Sequence, residues 1–400
     1  MEAPLIEVGT QPPKVRGAGV LSSVANIANS VLGAGILALP FAYARAGVWG
    51  GTVLVCWSAA LNVFTMHLLS ATTRRVEDAS FRTIASLVMP KKLHWVFDGI
   101  VVVLMLGLSA SYLMIFGNLV SQCVRELEVP KIVQNRVFWV LVGLALVAPP
   151  SFAKSLDALK FTSSIAMVLM GYVAAVVVAY RAAPGACDDS PHCGGTVRNL
   201  KLNLATLEAL SLTTFAYTAQ TQLVSVANEL DAYTQRKMDA VIASSISLCC
   251  ALYCVVGQLG YETFGNVVLS NVLESYRPTP PVSAARIAIS FVVAFSYPLM
   301  AQPCRISLVT LLRASPNACT LGILAFSATV AATVDDLGAV LSVIGATAST
   351  AIAYVIPAYA YIRLFTGAAP RWKLLAAKFV FLYGIATVPL CLYSTAINHP

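Results

Sequence analysis

The feature that most constrains this chain is a succession of eleven long, charge-poor apolar segments. Each is about 20 residues long, which is the length that a helix needs to cross a hydrocarbon layer of roughly 30 Å. Because 58% of the 400 residues are hydrophobic and only 11% are charged, the sequence predicts an all-α integral membrane protein. The predicted spans run approximately over residues 18–43, 47–70, 99–122, 137–150, 161–180, 202–226, 240–260, 282–304, 316–334, 337–362 and 374–396. The fourth reaches full length only if it extends back through Val133.

The distribution of Lys and Arg predicts the orientation of these spans. If the N-terminus is cytosolic, the cytosolic loops hold 16 of these residues and the opposite loops hold 8. Basic residues favour the cytosolic side, so we expect a cytosolic N-terminus and an extracytosolic C-terminus, with no cleavable signal peptide in residues 1–17. The net charge of +8 follows from this topology and predicts no nucleic-acid partner. A plasma membrane and a vacuolar or lysosomal membrane fit equally well.

Within the spans, the side chains offer little chemistry beyond binding. Only Glu208, Arg286 and Lys378 are ionisable there, and no acid–base pair, metal-ligand cluster or Ser/His/Asp arrangement can be placed at depth. The long side chains of Arg286 and Lys378 can reach the membrane surface. Glu208 either interacts with the dipole at the start of its helix or serves as a gate or proton site. The sequence therefore predicts a protein that is not an enzyme and uses no cofactor.

Two cysteines lie together outside the membrane. Most of the ten cysteines are within spans, where cysteine behaves as a small apolar residue. Cys187 and Cys193 share one extracytosolic loop, where they either form a disulfide or remain free thiols. Because His192 beside them does not complete a set of four ligands for zinc, no metal other than Na⁺ is predicted.

The first span, "SVANIANSVLGAGILALPFAYARAGVWGG" (residues 23–51), carries helix-breaking residues at its centre. Gly33 and Gly35 each weaken a helix by about 1 kcal/mol, and Pro40 removes a backbone donor. An unwound segment in a membrane is tolerated only beside a cavity or buried protein. Its free amides would attract a carboxylate, and nearby polar groups would suit an ammonium group or a small cation: Asn26, Asn29 and Ser30. Alternatively, Gly-Ala-Gly is a close-packing surface between helices.

The same stretch resembles the first-span signature of the amino acid/auxin permease family, in the amino acid/polyamine/organocation superfamily. That signature reads approximately Asn-x-x-x-Gly-x-Gly-Ile-Leu-x-Leu-Pro-x-Ala. Further motifs follow in the family's order: "SYLMIFGN", "SLDALKFTSS", "FAYTAQTQLVSVANEL", "GYETFGNVVLSNVL", "ARIAISFVVAFSYPLMAQPCR" and "LGAVLSVIGATASTAIAYVIPAYAYIRL". The chain is similar in this way to vacuolar and sodium-coupled neutral amino acid transporters over residues 23–364.

The resemblance implies a LeuT-like fold of two five-helix inverted repeats, with discontinuous first and sixth helices and one additional helix. The corresponding divisions are a cytosolic tail (1–17), the first repeat (18–180), an extracytosolic loop (181–201), the second repeat (202–364) and the eleventh helix with a short C-terminus (365–400). The break in the sixth span is implied by the resemblance alone, because residues 205–229 contain no Gly or Pro. Composition by itself predicts a continuous helix there.

The resemblance also implies a site between the two breaks. The backbone amides of Gly33, Ala34, Gly35 and Ile36 would bind a substrate carboxylate, and three side chains would flank it: Tyr112, Phe215 and Thr218. Asn29 and Ser296 match or adjoin positions that hold sodium in sodium-coupled relatives, and Ser30 beside Asn29 is a further candidate for the coupling ion. Ala294 stands where those relatives carry a threonine, which weakens the expectation of sodium coupling.

The implied function is secondary active amino acid transport by alternating access, in which spans one and six rock against spans three, four, eight and nine. H⁺ or Na⁺ would drive it, because the sequence has no nucleotide-binding motif. Since no acidic residue can be placed in the central pocket, neutral amino acids are favoured over cationic ones. The alternatives are transport of cationic amino acids and an amino acid sensor or receptor. The expected partners are a small amino acid and the lipid bilayer, and a monomer is sufficient.

Overall fold

A computed structural model describes residues 17–76, 80–125, 130–153, 162–182 and 192–399. Within these ranges the regular structure is helical, apart from one isolated bridge between Ala18 and Leu230. The helices are α1 (Val20–Val31), α2 (Gly35–Ala46), α3 (Val48–Thr73), α4 (Phe81–Val88), α5 (His94–Val124), α6 (Arg136–Ser151), α7 (Thr162–Ala182), α8 (Ala205–Ala216), α9 (Gln220–Glu229), α10 (Gln235–Phe264), α11 (Val272–Ser275), α12 (Pro280–Leu312), α13 (Pro316–Thr333), α14 (Leu337–Ile344), α15 (Ile356–Phe365) and α16 (Arg371–Asn398).

Many of these helices are long and apolar enough to cross a membrane. Among the described residues, eight qualify singly or as a continuous run, and a ninth span results if the bent pair α1–α2 is counted as one. This confirms a multi-pass membrane protein. The shorter helix α6, with 16 residues, and the pair α8–α9 are not among these spans, so the number eleven stays a prediction.

The first predicted break is present. Helix α1 ends at Val31, α2 begins at Gly35, and the two axes differ by 57°. The Gly33 amide donates to the Val31 carbonyl across 2.7 Å, which closes a tight turn between them. Pro40 lies within α2, two turns from the break. The glycines therefore mark the break, and the proline does not.

The second break separates α8 from α9 at Tyr217–Ala219. Without Gly or Pro, it is held by the buried side chain of Gln220. The Gln220 Oε1 atom accepts from the Ala219 amide at 3.1 Å, and Nε2 donates to Asn62 Oδ1 on α3 at 2.7 Å. Because these bonds replace helical ones near the break, a tertiary contact with α3 stabilises it.

Helix α8 also packs closely against the span formed by α14 and α15. Between those two helices the chain forms two π-helical segments, Gly345–Ser349 and Ala351–Val355. Gly345 lies against the Ser211 carbonyl of α8, where a Cβ atom would collide with the backbone. The wide turns of a π-helix often occur at functional sites, and here they adjoin the helix that contains the second break.

Candidate functional site at the two helix breaks

The two breaks are joined by one buried tyrosine. Tyr253 of α10 is fully buried, and its hydroxyl lies 2.5 Å from the Val31 carbonyl and 2.9 Å from the Ala216 carbonyl. These carbonyls end α1 and α8, where the helix dipoles are negative. A hydroxyl has only one proton to donate, so both carbonyl oxygens share it. The negative ends of the two broken helices thus meet at a single donor.

The amides of the first break are only partly free. The Gly33 amide donates to Val31, and the Ile36 amide donates to the Gly33 carbonyl at 3.3 Å. Among the described residues, the amides of Ala34 and Gly35 have no backbone acceptor. Of the four amides predicted for a carboxylate, these two remain available at the start of α2. Two adjacent free amides at a helix N-terminus are suited to one carboxylate.

The two glycines of Gly-Ala-Gly have different surroundings. A Cβ atom built on Gly33 would meet nothing within 4 Å, whereas one on Gly35 would lie 2.8 Å from the Ala216 Cα of α8. Gly33 therefore borders open space, and Gly35 allows the two broken helices to approach. The packing and binding interpretations both apply, each at its own glycine.

Asn29 has an unsatisfied acceptor beside the first break. Among the described residues its Oδ1 atom is buried and has no hydrogen-bond partner. Ser30 donates to the Asn26 carbonyl at 3.0 Å, and the Asn26 side chain accepts from Gln222. A buried acceptor normally has a partner, so Asn29 Oδ1 is the group that an ammonium group or a cation could satisfy. Ser296 is half-buried on α12.

The flanking residues occupy separate places. Tyr112 lines a narrow gap between α5, α6 and α12, too small to admit a water molecule, together with Tyr297 and Ala294. Phe215 is buried in α8 close to Gly345. The Thr218 hydroxyl donates to the Thr214 carbonyl at 2.9 Å. Phe215 and Thr218 therefore lie at the second break, while Tyr112 borders a gap whose lining includes no residue of either break.

Glu208 is part of a charged cluster that the sequence did not reveal. It is fully buried in the first turn of α8. Arg45 Nε of α2 lies 3.1 Å from Oε2 as an ion pair without hydrogen-bond alignment. His399, just after α16, has Nε2 at 2.7 Å from Glu208 Oε1 and Nδ1 at 2.9 Å from Asp336 Oδ2. The cluster joins residues far apart in sequence, so no local pattern indicates it.

His399 is protonated in this arrangement. Its hydrogen bonds to Asp336 and Glu208 raise its pKa to about 9, against the opposing effect of burial. Burial acts to raise the pKa of Asp336, but hydrogen bonds from His399, Ser270 and the Gly338 amide outweigh it and lower that pKa. An imidazolium donates from both nitrogens. His399 therefore bridges the starts of α8 and α14.

Arg286 and Lys378, the two other ionisable residues predicted within spans, differ in burial. Arg286 was expected to reach the membrane surface, and this is wrong: it is 2% exposed and donates to the carbonyls of Leu273 and Tyr276. These carbonyls, on and just after the short helix α11, stabilise the buried guanidinium. Lys378 is exposed on α16, and its reach to the membrane surface stays a prediction.

The predicted cysteine pair is described in part. Cys193 is disulfide-bonded, while Cys187 lies outside the described residues. The other eight cysteines are free thiols. These observations favour the Cys187–Cys193 bond, which stays a prediction.

Comparisons with known proteins agree with this architecture. A family model described as "Transmembrane amino acid transporter protein" matches residues 16–397. The chain is 31% identical to vacuolar amino acid transporter 5 of Schizosaccharomyces pombe, covering 86% of this chain and 84% of that protein. It is 25% identical to vacuolar amino acid transporter 5 of Saccharomyces cerevisiae, covering 92% and 96%.

A solved structure also resembles this fold. It is described as the inward-facing conformation of Mhp1, and it matches with a TM-score of 0.59 at 11% identity, covering 99% of this chain and 95% of that one. The predicted LeuT-like helical fold is thereby confirmed.

Proposed function

Since the chain belongs to the transmembrane amino acid transporter family, we propose that it is a secondary active transporter of neutral amino acids. It works by alternating access and is driven by a proton gradient. The observation that carries the proposal is the meeting of the two broken helices at Gly35 and Ala216, next to open space at Gly33. Backbone groups freed inside a membrane protein are tolerated where they line a ligand cavity.

The groups at the first break match the two charged groups that all amino acids share. The free amides of Ala34 and Gly35 suit the α-carboxylate, and the unsatisfied Asn29 Oδ1 atom suits the α-ammonium group or a coupling cation. Because the substrate would satisfy groups that are otherwise unpaired, its binding offsets their desolvation.

Neutral substrates are favoured by the surroundings of the breaks. The buried carboxylate nearest in sequence to the second break is Glu208, which already interacts with Arg45 and His399. A cationic side chain in a buried pocket needs an opposite charge. Because Glu208 is already paired with Arg45 and His399, a substrate with a neutral side chain fits better than a cationic one.

The architecture accommodates eleven spans. We count the bent pair α1–α2, the helix α6 and the pair α8–α9 as one span each, in addition to the eight long ones. With a cytosolic N-terminus, the C-terminus and the cluster around Glu208 then face the extracytosolic side. The relatives are named as vacuolar transporters, so we place this chain in a vacuolar membrane, with the cluster on the lumenal side.

Coupling to H⁺ is favoured over Na⁺ by this placement. When the cluster opens, His399 loses Asp336 and Glu208, and its pKa should return toward about 6.5. At a pH between this value and the pKa of about 9 in the closed cluster, closing it takes up a proton, so a pH gradient across that range biases the conformations. A sodium site would rest on Asn29, Ser30 and Ser296, to which Ala294 adds no hydroxyl.

The test is uptake of an isotope-labelled amino acid panel into proteoliposomes under separate pH and Na⁺ gradients. We expect neutral amino acids to accumulate with the pH gradient and not with Na⁺ alone. Accumulation that requires Na⁺ would contradict proton coupling. Saturable binding without any accumulation would instead support a receptor.

A further inference from the structure

Three free thiols meet on the side of α3 and α10. Cys56 of α3 and the pair Cys250 and Cys254 of α10 have their sulfur atoms within 4.8 Å of one another. The Cys56 and Cys250 sulfurs are 4.0 Å apart. The sequence conceals this group, because Cys56 is far from the other two in the chain. Cys250 lies close to Tyr217 of the second break, but none of the three is among the groups proposed to bind the substrate.

The geometry of the sulfurs suits a three-coordinate metal ion. Metal–thiolate bonds of about 2.3 Å place the sulfurs of a trigonal complex about 4.0 Å apart, by elementary trigonometry. The thiols need to shift only slightly to reach that arrangement. With three sulfur ligands, the site selects soft ions such as Cu(I) over Mg²⁺ or Ca²⁺, which prefer oxygen ligands.

The site lies at the edge of the bundle. Cys56 is exposed there, and Cys250 and Cys254 are half-buried. The thiolate is the form of cysteine that binds a metal, so each sulfur that coordinates Cu⁺ releases its thiol proton to the solvent.

We propose that Cys56, Cys250 and Cys254 form a binding site for a soft, thiophilic metal ion, with Cu(I) as the cation that fits it. Bound metal connects α3 to α10. It should therefore stabilise the folded protein by an amount that grows with the free metal concentration. This proposal is independent of the transport function.

The experiment uses the full-length protein in detergent without oxygen, with Cu(I) supplied from a coloured chelator. We expect the wild type and the control Cys319→Ser to remove one more Cu(I) per chain from the chelator than Cys56→Ser or Cys254→Ser does. Cu(I) should also raise the unfolding temperature of the first two proteins more. X-ray absorption of the wild type should show three sulfur neighbours.

Equal Cu(I) uptake by the wild type and both site variants would overturn the proposal. So would thiol counting that shows a disulfide between Cys56 and Cys250 in place of metal binding.

Discussion

Gly35 of α2 lies against Ala216 of α8 so closely that a Cβ atom on residue 35 would be 2.8 Å from the Ala216 Cα. This contact brings the start of one half-helix to the end of another. It places the free amides of the first break next to the second break. A site for a small zwitterion thus depends on Gly35, which lets α2 approach α8, and on Gly33, which leaves open space beside the break.

Replacing each glycine should separate these two roles. Gly33→Val places a side chain into open space, so we expect normal folding but at least about tenfold weaker amino acid binding, equivalent to about 1.4 kcal/mol. Gly35→Ala forces α2 away from α8 and should destabilise the protein by about 1–3 kcal/mol. Thermal unfolding and substrate-binding titrations of the purified variants would measure both effects. Unchanged substrate affinity in Gly33→Val would show that the amides do not bind substrate.

Tyr253→Phe should loosen both breaks at once. The variant removes the hydroxyl that the carbonyls of Val31 and Ala216 share. Val31 keeps the Gly33 amide, but the Ala216 carbonyl loses its described partner, at a cost of about 1–3 kcal/mol. We expect a lower unfolding temperature and slower uptake in proteoliposomes. The exposed Tyr393 on α16 gives the matched control, since Tyr393→Phe should change neither quantity. Wild-type stability in Tyr253→Phe would mean that the shared donor is dispensable.

The sequence predicts the first break well, because local chemistry determines it. Gly33 and Gly35 weaken the helix where it ends. The second break is different, since Gln220 holds it through Asn62, 158 residues away. The charged cluster likewise joins Glu208 to His399, 191 residues apart. Such contacts depend on how helices pack, which hydrophobic periodicity does not specify.

Arg286 shows that a prediction from local sequence can also be wrong when it ignores tertiary partners. A long basic side chain near a span end commonly reaches the membrane surface, but here the short helix α11 supplies carbonyl partners to a buried guanidinium. The length of the arginine side chain shows that it can reach the membrane surface. Only the fold shows that the carbonyl groups at α11 are nearer.

Gln220→Leu should weaken the second break. The leucine has a similar volume but leaves the Ala219 amide and Asn62 Oδ1 without their described partner, which costs about 1–3 kcal/mol for each buried group. The half-buried Gln258, which donates to Glu262 within α10, provides the control, because such a helical pair contributes only about 0.2–0.5 kcal/mol. We expect a clear fall in unfolding temperature for Gln220→Leu and little change for Gln258→Leu.

A double-mutant cycle tests whether Asn62 is the relevant partner of Gln220. Residues in one hydrogen-bond network are non-additive, so Asn62→Leu combined with Gln220→Leu should destabilise less than the two single effects together. Additive effects would contradict a direct role for this bond.

His399→Gln should change how stability depends on pH. In the folded protein the pKa of His399 is about 9, above the unfolded value of about 6.5. A raised folded pKa contributes stability that is complete below the unfolded pKa and is lost as pH rises through the folded one. The wild type should therefore exceed His399→Gln most in unfolding temperature near pH 6. That difference should shrink steadily toward pH 9 and above.

Glu208→Gln refines this test by removing one of the two carboxylates that raise the pKa of His399. With Asp336 still in place, the stabilisation by His399 should be lost at lower pH than in the wild type. Unfolding temperatures of the three proteins across a pH series would reveal the shift. Parallel curves for the wild type and His399→Gln at every pH would show that folding does not raise the pKa of His399. The proposed coupling of proton uptake to closing of the cluster would then be wrong.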